Sequence, residues 1–195
     1  MNKFKNVINK VFHSWLWLII PLLLLDQLTK MWAHFSEWNL TLIPNFLHLT
    51  YVRNTGAAWS ILRGNMGLLA FISALAAIAI FVAFIKYQSK LSTFKKILFA
   101  VILAGTLGNF IDRAFYKLLL GSEGVVDFIH FQFGSYDFPI FNVADILLTV
   151  GIITFAVLMT IEDFKDKHSK KEVSEPEEGK KEEDEDANHQ DSGNV

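Results

Sequence analysis

The chain has 195 residues, of which 52% are hydrophobic, 14% aromatic and 19% charged, a composition that allows one domain and excludes a disordered or collagen-like protein. With no cysteine, it has no disulfide staple, no thiolate nucleophile and no Cys-ligated metal site. Its charge is segregated: residues 1–161 carry 12 Lys/Arg and 7 Asp/Glu, residues 162–195 carry 6 and 13, so an apolar, basic body that does not fit a soluble globule leads into an acidic tail.

Four stretches meet the requirement of about 20 predominantly apolar residues per membrane span. The first runs from Ser14 to Ala33 and is interrupted by Asp26 and Lys30. Its start, basic and then apolar over Trp15 to Leu25, is like a signal peptide. No small-x-small cleavage site follows, so an uncleaved first helix is expected. Residues 34–65 are too polar to span, and Phe46 to Val52 is rich in strand formers, which predicts a small extracytoplasmic β-sheet. The second span, Met66 to Ile85, has no charge, and the third, Ile97 to Tyr116, contains Asp112 and Arg113. Gly121 to Phe141 is expected to be a second outer loop whose aromatics rest at the interface. The fourth span, Val143 to Ile161, carries only Asp145. From Lys165 the chain is rich in Lys, Glu, Asp and Ser without periodicity, which predicts a disordered acidic cytoplasmic tail over 165–195 after a membrane-embedded domain over 1–164. Lysines cluster before the first span, between the second and third, and after the fourth; both termini are therefore expected to be cytoplasmic. The fold class is a mainly α membrane protein, a four-helix transmembrane bundle with a small extracytoplasmic sheet.

Ionisable groups inside a membrane are costly, about 2.5–3.5 kcal/mol each on insertion scales, and so point to function. In this topology Asp26 and Lys30, then Asn109, Asp112 and Arg113, then Asn142 and Asp145 fall at one depth near the outer leaflet, while the second helix contributes none. Asp26 and Lys30 are four apart, acid first, as an intrahelical ion pair requires. Asn109 shares a face with Arg113, and Asn142 with Asp145. Gly105 and Gly108 let another backbone approach the third helix. A polar cluster facing a cavity within the bundle is expected. Each residue also has a plainer reading: Asp26 and Lys30 as a brace, Asn142 as an N-cap with Asp145 at the third helical position, Arg113 and Lys117 as snorkelling cations, Asp127 as a solvated turn carboxylate. Asp127 and His130 are weak evidence for a metal pair without a third ligand.

Five motifs in order, Asp26-Gln-Leu-Thr-Lys30, Asn54-Thr-Gly-Ala-Ala-Trp-Ser60, Gly105-Thr-Leu-Gly-Asn-Phe-Ile-Asp-Arg113, Val125-Val-Asp-Phe128 and Phe141-Asn-Val-Ala-Asp145, resemble those of the signal peptidase II family, bacterial membrane aspartic peptidases. The resemblance covers roughly residues 14–161. It implies that Asp127 and Asp145 are a catalytic dyad, and that Asp26, Lys30, Asn54, Gly56, Gly108, Asn109, Arg113 and Asn142 line or support the site. It further implies cleavage of a prolipoprotein just before a diacylglyceryl-modified Cys, in the bacterial cytoplasmic membrane, with no metal and no cofactor. The partners implied are prolipoproteins and membrane lipid, not nucleic acid, and the enzyme is expected to be a monomer. The acidic tail has no counterpart in the family pattern. Two carboxylates sharing one proton suit this chemistry, because like charges at close range split their pKa values into a base and an acid. Rival readings are a Ser/Lys peptidase using Ser60 and Lys30, an ion-coupled transporter using the intramembrane charges as a relay, and a scaffold without catalysis.

Overall fold

The computed structural model describes residues 14–56, 62–121 and 123–174. A 3-10 turn, Leu16–Leu18, leads into α1 (Ile19–Ser36), and then come β1 (Asn39–Ile43), β2 (Leu47–Asn54), α2 (Met66–Tyr87), α3 (Thr93–Leu120), β3 (Val125–Phe133), β4 (Tyr136–Asp137) and α4 (Val143–Ser174). All four helices are long and apolar enough to cross a membrane. At 1.5 Å per residue, α2 alone extends about 33 Å, the depth of a bilayer core. Large apolar side chains point outward along them, among them Leu24, Leu28, Phe71, Ile78, Ile152 and Ile153, the inverse of a soluble bundle.

The helix boundaries follow local chemistry. Ser92 caps α3, its hydroxyl accepting from the Lys95 N–H at 3.4 Å. The same helix stops at Gly121, which takes a left-handed φ of 67° that costs a residue without Cβ nothing. Helix α4 does not end at Ile161. It continues through Lys165 to Ser174, where an aperiodic tail was expected, because Glu and Lys are good helix formers that need no buried face to extend an existing helix. Residues 175–195 lie outside the described residues. The chain divides into two units, Met1–Phe155 and Ala156–Val195; the site lies wholly within the first.

The sheet is larger than the expected one. Its four antiparallel strands run in the order β1-β2-β3-β4, and Val125–Phe133, read from sequence as part of an interfacial loop, is its longest strand. This run is rich in β-branched and aromatic residues and is bounded by Gly124 and Gly134, which is strand chemistry. Asp127 therefore sits in a strand, opposite Val52 of β2, and is only 2% exposed. It is not a turn carboxylate. Beneath the sheet, Ala33, Trp38, Tyr116, Val126 and Phe128 form a buried core, with Trp38 meeting Phe128 edge-to-face at 5.2 Å, so β3 is locked onto α1 and α3. Phe141 then doubles back along β3, exchanging backbone hydrogen bonds with Ile129. That return places Asn142 and the first turn of α4 beside Asp127.

Candidate active site

Helix α1 supplies the foundation. Lys30 is fully buried, and its ammonium group donates to Asp26 at 2.9 Å and to Asn109 at 3.1 Å, and lies 3.1 Å from Asp112. An ammonium has three protons, and these three partners use them all. Lys30 is thus a structural cation, not an available base, which removes one half of the Ser/Lys reading; the other half, Ser60, lies outside the described residues. The second carboxylate compensates the burial cost of Lys30, since a lone buried charge is far costlier than a bonded one.

The two acids of this triad each reach further. Asp26 accepts the Ala144 N–H at 2.8 Å, satisfying an orphan donor at the N-terminus of α4. Asp112 accepts the Val126 N–H at 3.3 Å, one residue before Asp127. Gln27 bridges Asp26 and Asp112 at 3.0 Å each and receives the Tyr116 hydroxyl at 3.0 Å. Gln27 and Tyr116 carry no charge, and nothing in their spacing marks them. Asp112 stands out in the sequence as a third carboxylate in a membrane span, but its bond to β3 needs the fold to be visible.

Close helix approach makes these contacts possible. A Cβ on Gly108 would press into the Asp26 carboxylate and the Ala144 side chain, and one on Gly105 would lie 2.6 Å from the Ala144 carbonyl oxygen. The two glycines bring α3 against α4 as their spacing suggested.

On this base stand the two remaining carboxylates. Asp127 accepts from the Asn142 amide at 2.6 Å and from the Asn54 amide at 3.0 Å. The Asn54 amide is oriented by the Gly56 N–H, which donates to its oxygen at 3.0 Å. Asp145 accepts from the Asn109 amide at 2.7 Å. Asn142 caps α4 as the plainer reading had it: its side-chain oxygen accepts the Asp145 N–H at 3.1 Å, and Asp145 accepts the Asn142 N–H at 3.2 Å. The cap and the site are the same residues. Asn142 also donates to the Asn109 oxygen at 3.2 Å, so Asn142 and Asn109 connect the two carboxylates. Because Lys30 and Asn142 both donate to the Asn109 oxygen, the Asn109 amide nitrogen must face Asp145.

The pair faces a cavity of about 240 Å³ lined by Asn54, Asn109, Arg113, Asp127, Asp145 and the 138–141 segment. Arg113 does not snorkel. It donates to the Ser73 hydroxyl at 2.9 Å, so α2 does contribute a polar group, contrary to expectation, and a serine inside an apolar span gave little signal. The Arg113 Nε is buried and has no hydrogen-bond partner. Burial, and then the nearby Asp145 charge, push the Asp127 carboxyl up to about 7, against bonds from Asn54 and Asn142 that favour its ionised form. His130 is separated from this site: three residues along a strand point to the opposite face, and His130 lies 3.3 Å from Asp137. Lys117 pairs with Glu123 at 2.5 Å on the surface, away from the cluster.

Residues 18–161 match a family model described as signal peptidase (SPase) II. A lipoprotein signal peptidase of Staphylococcus haemolyticus is 40% identical over 148 residues, 74% of this chain and 88% of that protein. One from Clostridium acetobutylicum is 40% identical over 147 residues, 73% and 91% respectively. Among solved structures, a bacterial membrane enzyme determined by the in meso method at 2.3 Å aligns with a TM-score of 0.66 and 37% identity, over 79% of this chain and 91% of that one.

Proposed function

The chain belongs to the signal peptidase II family, and on that premise we propose that it removes the signal peptide of prolipoproteins by cutting just before a diacylglyceryl-Cys, with Asp127 and Asp145 activating water. The observation that carries this reading is that Asp127 and Asp145 line one cavity and are linked to each other through Asn109 and Asn142, with burial and the nearby Asp145 raising the Asp127 carboxyl to about 7. One proton is shared by the pair. The ionised member takes a proton from water as its oxygen attacks the scissile carbonyl carbon. The protonated member stabilises the developing oxyanion and delivers its proton to the departing amine nitrogen. The two acids act as a pair, so neither owns one role.

The surrounding groups suit the same chemistry. Arg113 lines the cavity, and its guanidinium, held by the Ser73 hydroxyl, is suited to donate to a carbonyl oxygen whose charge grows in the transition state. Asn54, Asn109 and Asn142 hold the carboxylates through neutral amides, which orient them without fixing them in the ionised state. Asp26, Lys30 and Gly108 act from beneath, as a brace. In the membrane, the lysine distribution puts both termini in the cytoplasm and the site near the outer leaflet, where a lipid-anchored Cys remains in the bilayer while its peptide bond reaches the acids. Both carboxylates come from one chain, so the proposed reaction needs no second copy.

The test is cleavage of a diacylglyceryl-modified prolipoprotein by the purified chain in detergent, followed as a gel shift. Release of a signal peptide by the parent chain and none by Asp127→Asn or Asp145→Asn is expected. Full turnover by either variant overturns the assignment.

A further inference from the structure

Helix α2 has no charged side chain from Met66 to Ile85, and it reaches the site through Ser73, which is buried. The Ser73 hydroxyl donates to the Leu69 carbonyl one turn back at 2.9 Å. Its proton is thereby committed within α2, and only lone pairs are left to face the bundle. Such an oxygen accepts but does not donate, and it accepts from the Arg113 guanidinium of α3 at 2.9 Å. The polarity of this contact is set by the backbone of α2, and it suits a cation.

Arg113 needs such an anchor, because acids surround it on three elements: Asp112 on its own helix, Asp145 on α4 and Asp127 on β3. It lines one cavity with the last two, yet among the described residues it is paired with none of the three. The other cations nearby are engaged elsewhere. Lys30 of α1 is bonded beneath the site to Asp26 and Asp112, and Arg53 of β2 is turned to the Tyr51 hydroxyl and the Gly124 carbonyl; α2 has no titratable group before Lys86. The acids themselves do not keep Arg113 away. Each oxygen of Asp127 and Asp145 has one neutral donor, from Asn54, Asn142 or Asn109, and a carboxylate oxygen has two lone pairs, so each keeps room for a guanidinium N–H.

We propose that Ser73 is a positioning residue, which tethers the Arg113 guanidinium at the wall of the cavity and off the two acids. The inference rests on the proposed peptidase reading. A guanidinium that closes on a carboxylate through two N–H donors favours its ionised form, and a pair with both members ionised has no proton to deliver to the departing amine. Held by a neutral hydroxyl, the same cation leaves the proton with the pair and stays free to meet a substrate carbonyl oxygen. Ser73 does not line the cavity and acts only through Arg113.

The experiment uses the full chain in neutral detergent with a diacylglyceryl-modified prolipoprotein, and reads the pH profile of kcat/KM together with the melting temperature. Ser73→Ala removes the tether and keeps a good helix former in α2. Its alkaline limb is expected to move down by about one pH unit, the low end of what a cation at close range does to a carboxyl, with kcat/KM at neutral pH reduced about fivefold as the acid form is depleted. The melting temperature should change little. Ser73→Thr keeps the hydroxyl and should keep the parent limb. In the Arg113→Gln background Ser73→Ala should shift nothing further, since no cation is left to release. An unmoved limb in Ser73→Ala overturns the proposal, and a slower, less stable Ser73→Ala protein with that unmoved limb assigns the serine to packing alone. Equal shifts in Ser73→Ala and Ser73→Thr, or the same shift without Arg113, overturn it as well. Failure of the parent chain to cut the substrate overturns the peptidase reading itself, and so is distinguishable from failure of the tether.

Discussion

Two pairs of carboxylates lie within one polar cluster, and their surroundings give them opposite behaviour. Asp26 and Asp112 flank a lysine, are fully or almost fully buried, and bond to the backbones of α4 and β3. Asp127 and Asp145 touch only amides and face a cavity. A cation bonded to both acids holds them in place, so that pair ties elements of the fold together and does not line the cavity. With no cation bonded to them among the described residues, Asp127 and Asp145 are the pair proposed to share a proton. Asn109 joins the regions, accepting from Lys30 on one side and donating to Asp145 on the other.

The largest effect expected of any change falls on the open pair. Asp127→Asn and Asp145→Asn should each reduce turnover by about 10³-fold or more, with membrane insertion and melting temperature little altered. The double variant should be no slower than the worse single one, since groups acting as a unit are non-additive. Substantial turnover by either single variant erases the distinction between the pairs.

Next comes the closed pair. Lys30→Met leaves two buried carboxylates without their cation and should cost about 3–5 kcal/mol of stability, read as loss of expression and a lower melting temperature in detergent. Asp112→Asn should destabilise less, because the amide oxygen still accepts from Val126. A Lys30→Met protein that stays fully stable but loses turnover would contradict the brace.

The comparison sharpens at the joining residues. Asn109→Ala removes the side-chain donor of Asp145 and leaves it the Asn142 N–H, and should slow cleavage by about 10- to 100-fold, the cost of a lost hydrogen bond to a carboxylate. Asn54→Ala acts mainly on pH dependence. Asn54 bonds the ionised form of Asp127, so its removal raises that carboxyl further, and the alkaline limb of the kcat/KM profile should move to higher pH. Stability follows the same sign. Asp127 holds a proton in the folded chain that the unfolded chain releases, so its contribution is complete below the ordinary value of 3.8 and lost as pH rises through about 7.

The smallest effect is expected beyond Ser174. Residues 175–195 are strongly acidic and far in sequence from every site residue, and a stop codon after Ser174 should leave turnover within about twofold, as their charge-rich, apolar-poor composition implies. A tenfold fall, about 1.4 kcal/mol of transition-state stabilisation, would couple that segment to catalysis.

What could be seen in the sequence follows from how each feature is encoded. The helices were legible because about 20 apolar residues in a row have few other uses, and Asp26 with Lys30 because a charge pair four apart on a helix needs no other element. The five ordered motifs were enough to indicate the family that residues 18–161 match. The strand holding Asp127 was misread although its run was strand-like, since its aromatics also suit a membrane interface and its partner, β2, is some 70 residues earlier. Ser73 and Tyr116, and the role of Gln27 within its motif, could not be read for a different reason: each is an ordinary residue made important only by what the fold sets about 3 Å away.

The claim that the open pair shares a proton is tested most directly by titrating the Asp127 carboxyl itself, by carbon-13 NMR of selectively labelled protein, in the parent chain and in Asp145→Asn. A midpoint near 7 is expected in the parent. In Asp145→Asn it should fall, since the neighbouring charge is gone, yet stay above the ordinary carboxylate range because burial remains. A midpoint near 4 in the parent chain, or one unmoved by Asp145→Asn, would mean that the two acids do not share a proton, and the account of the site would be wrong.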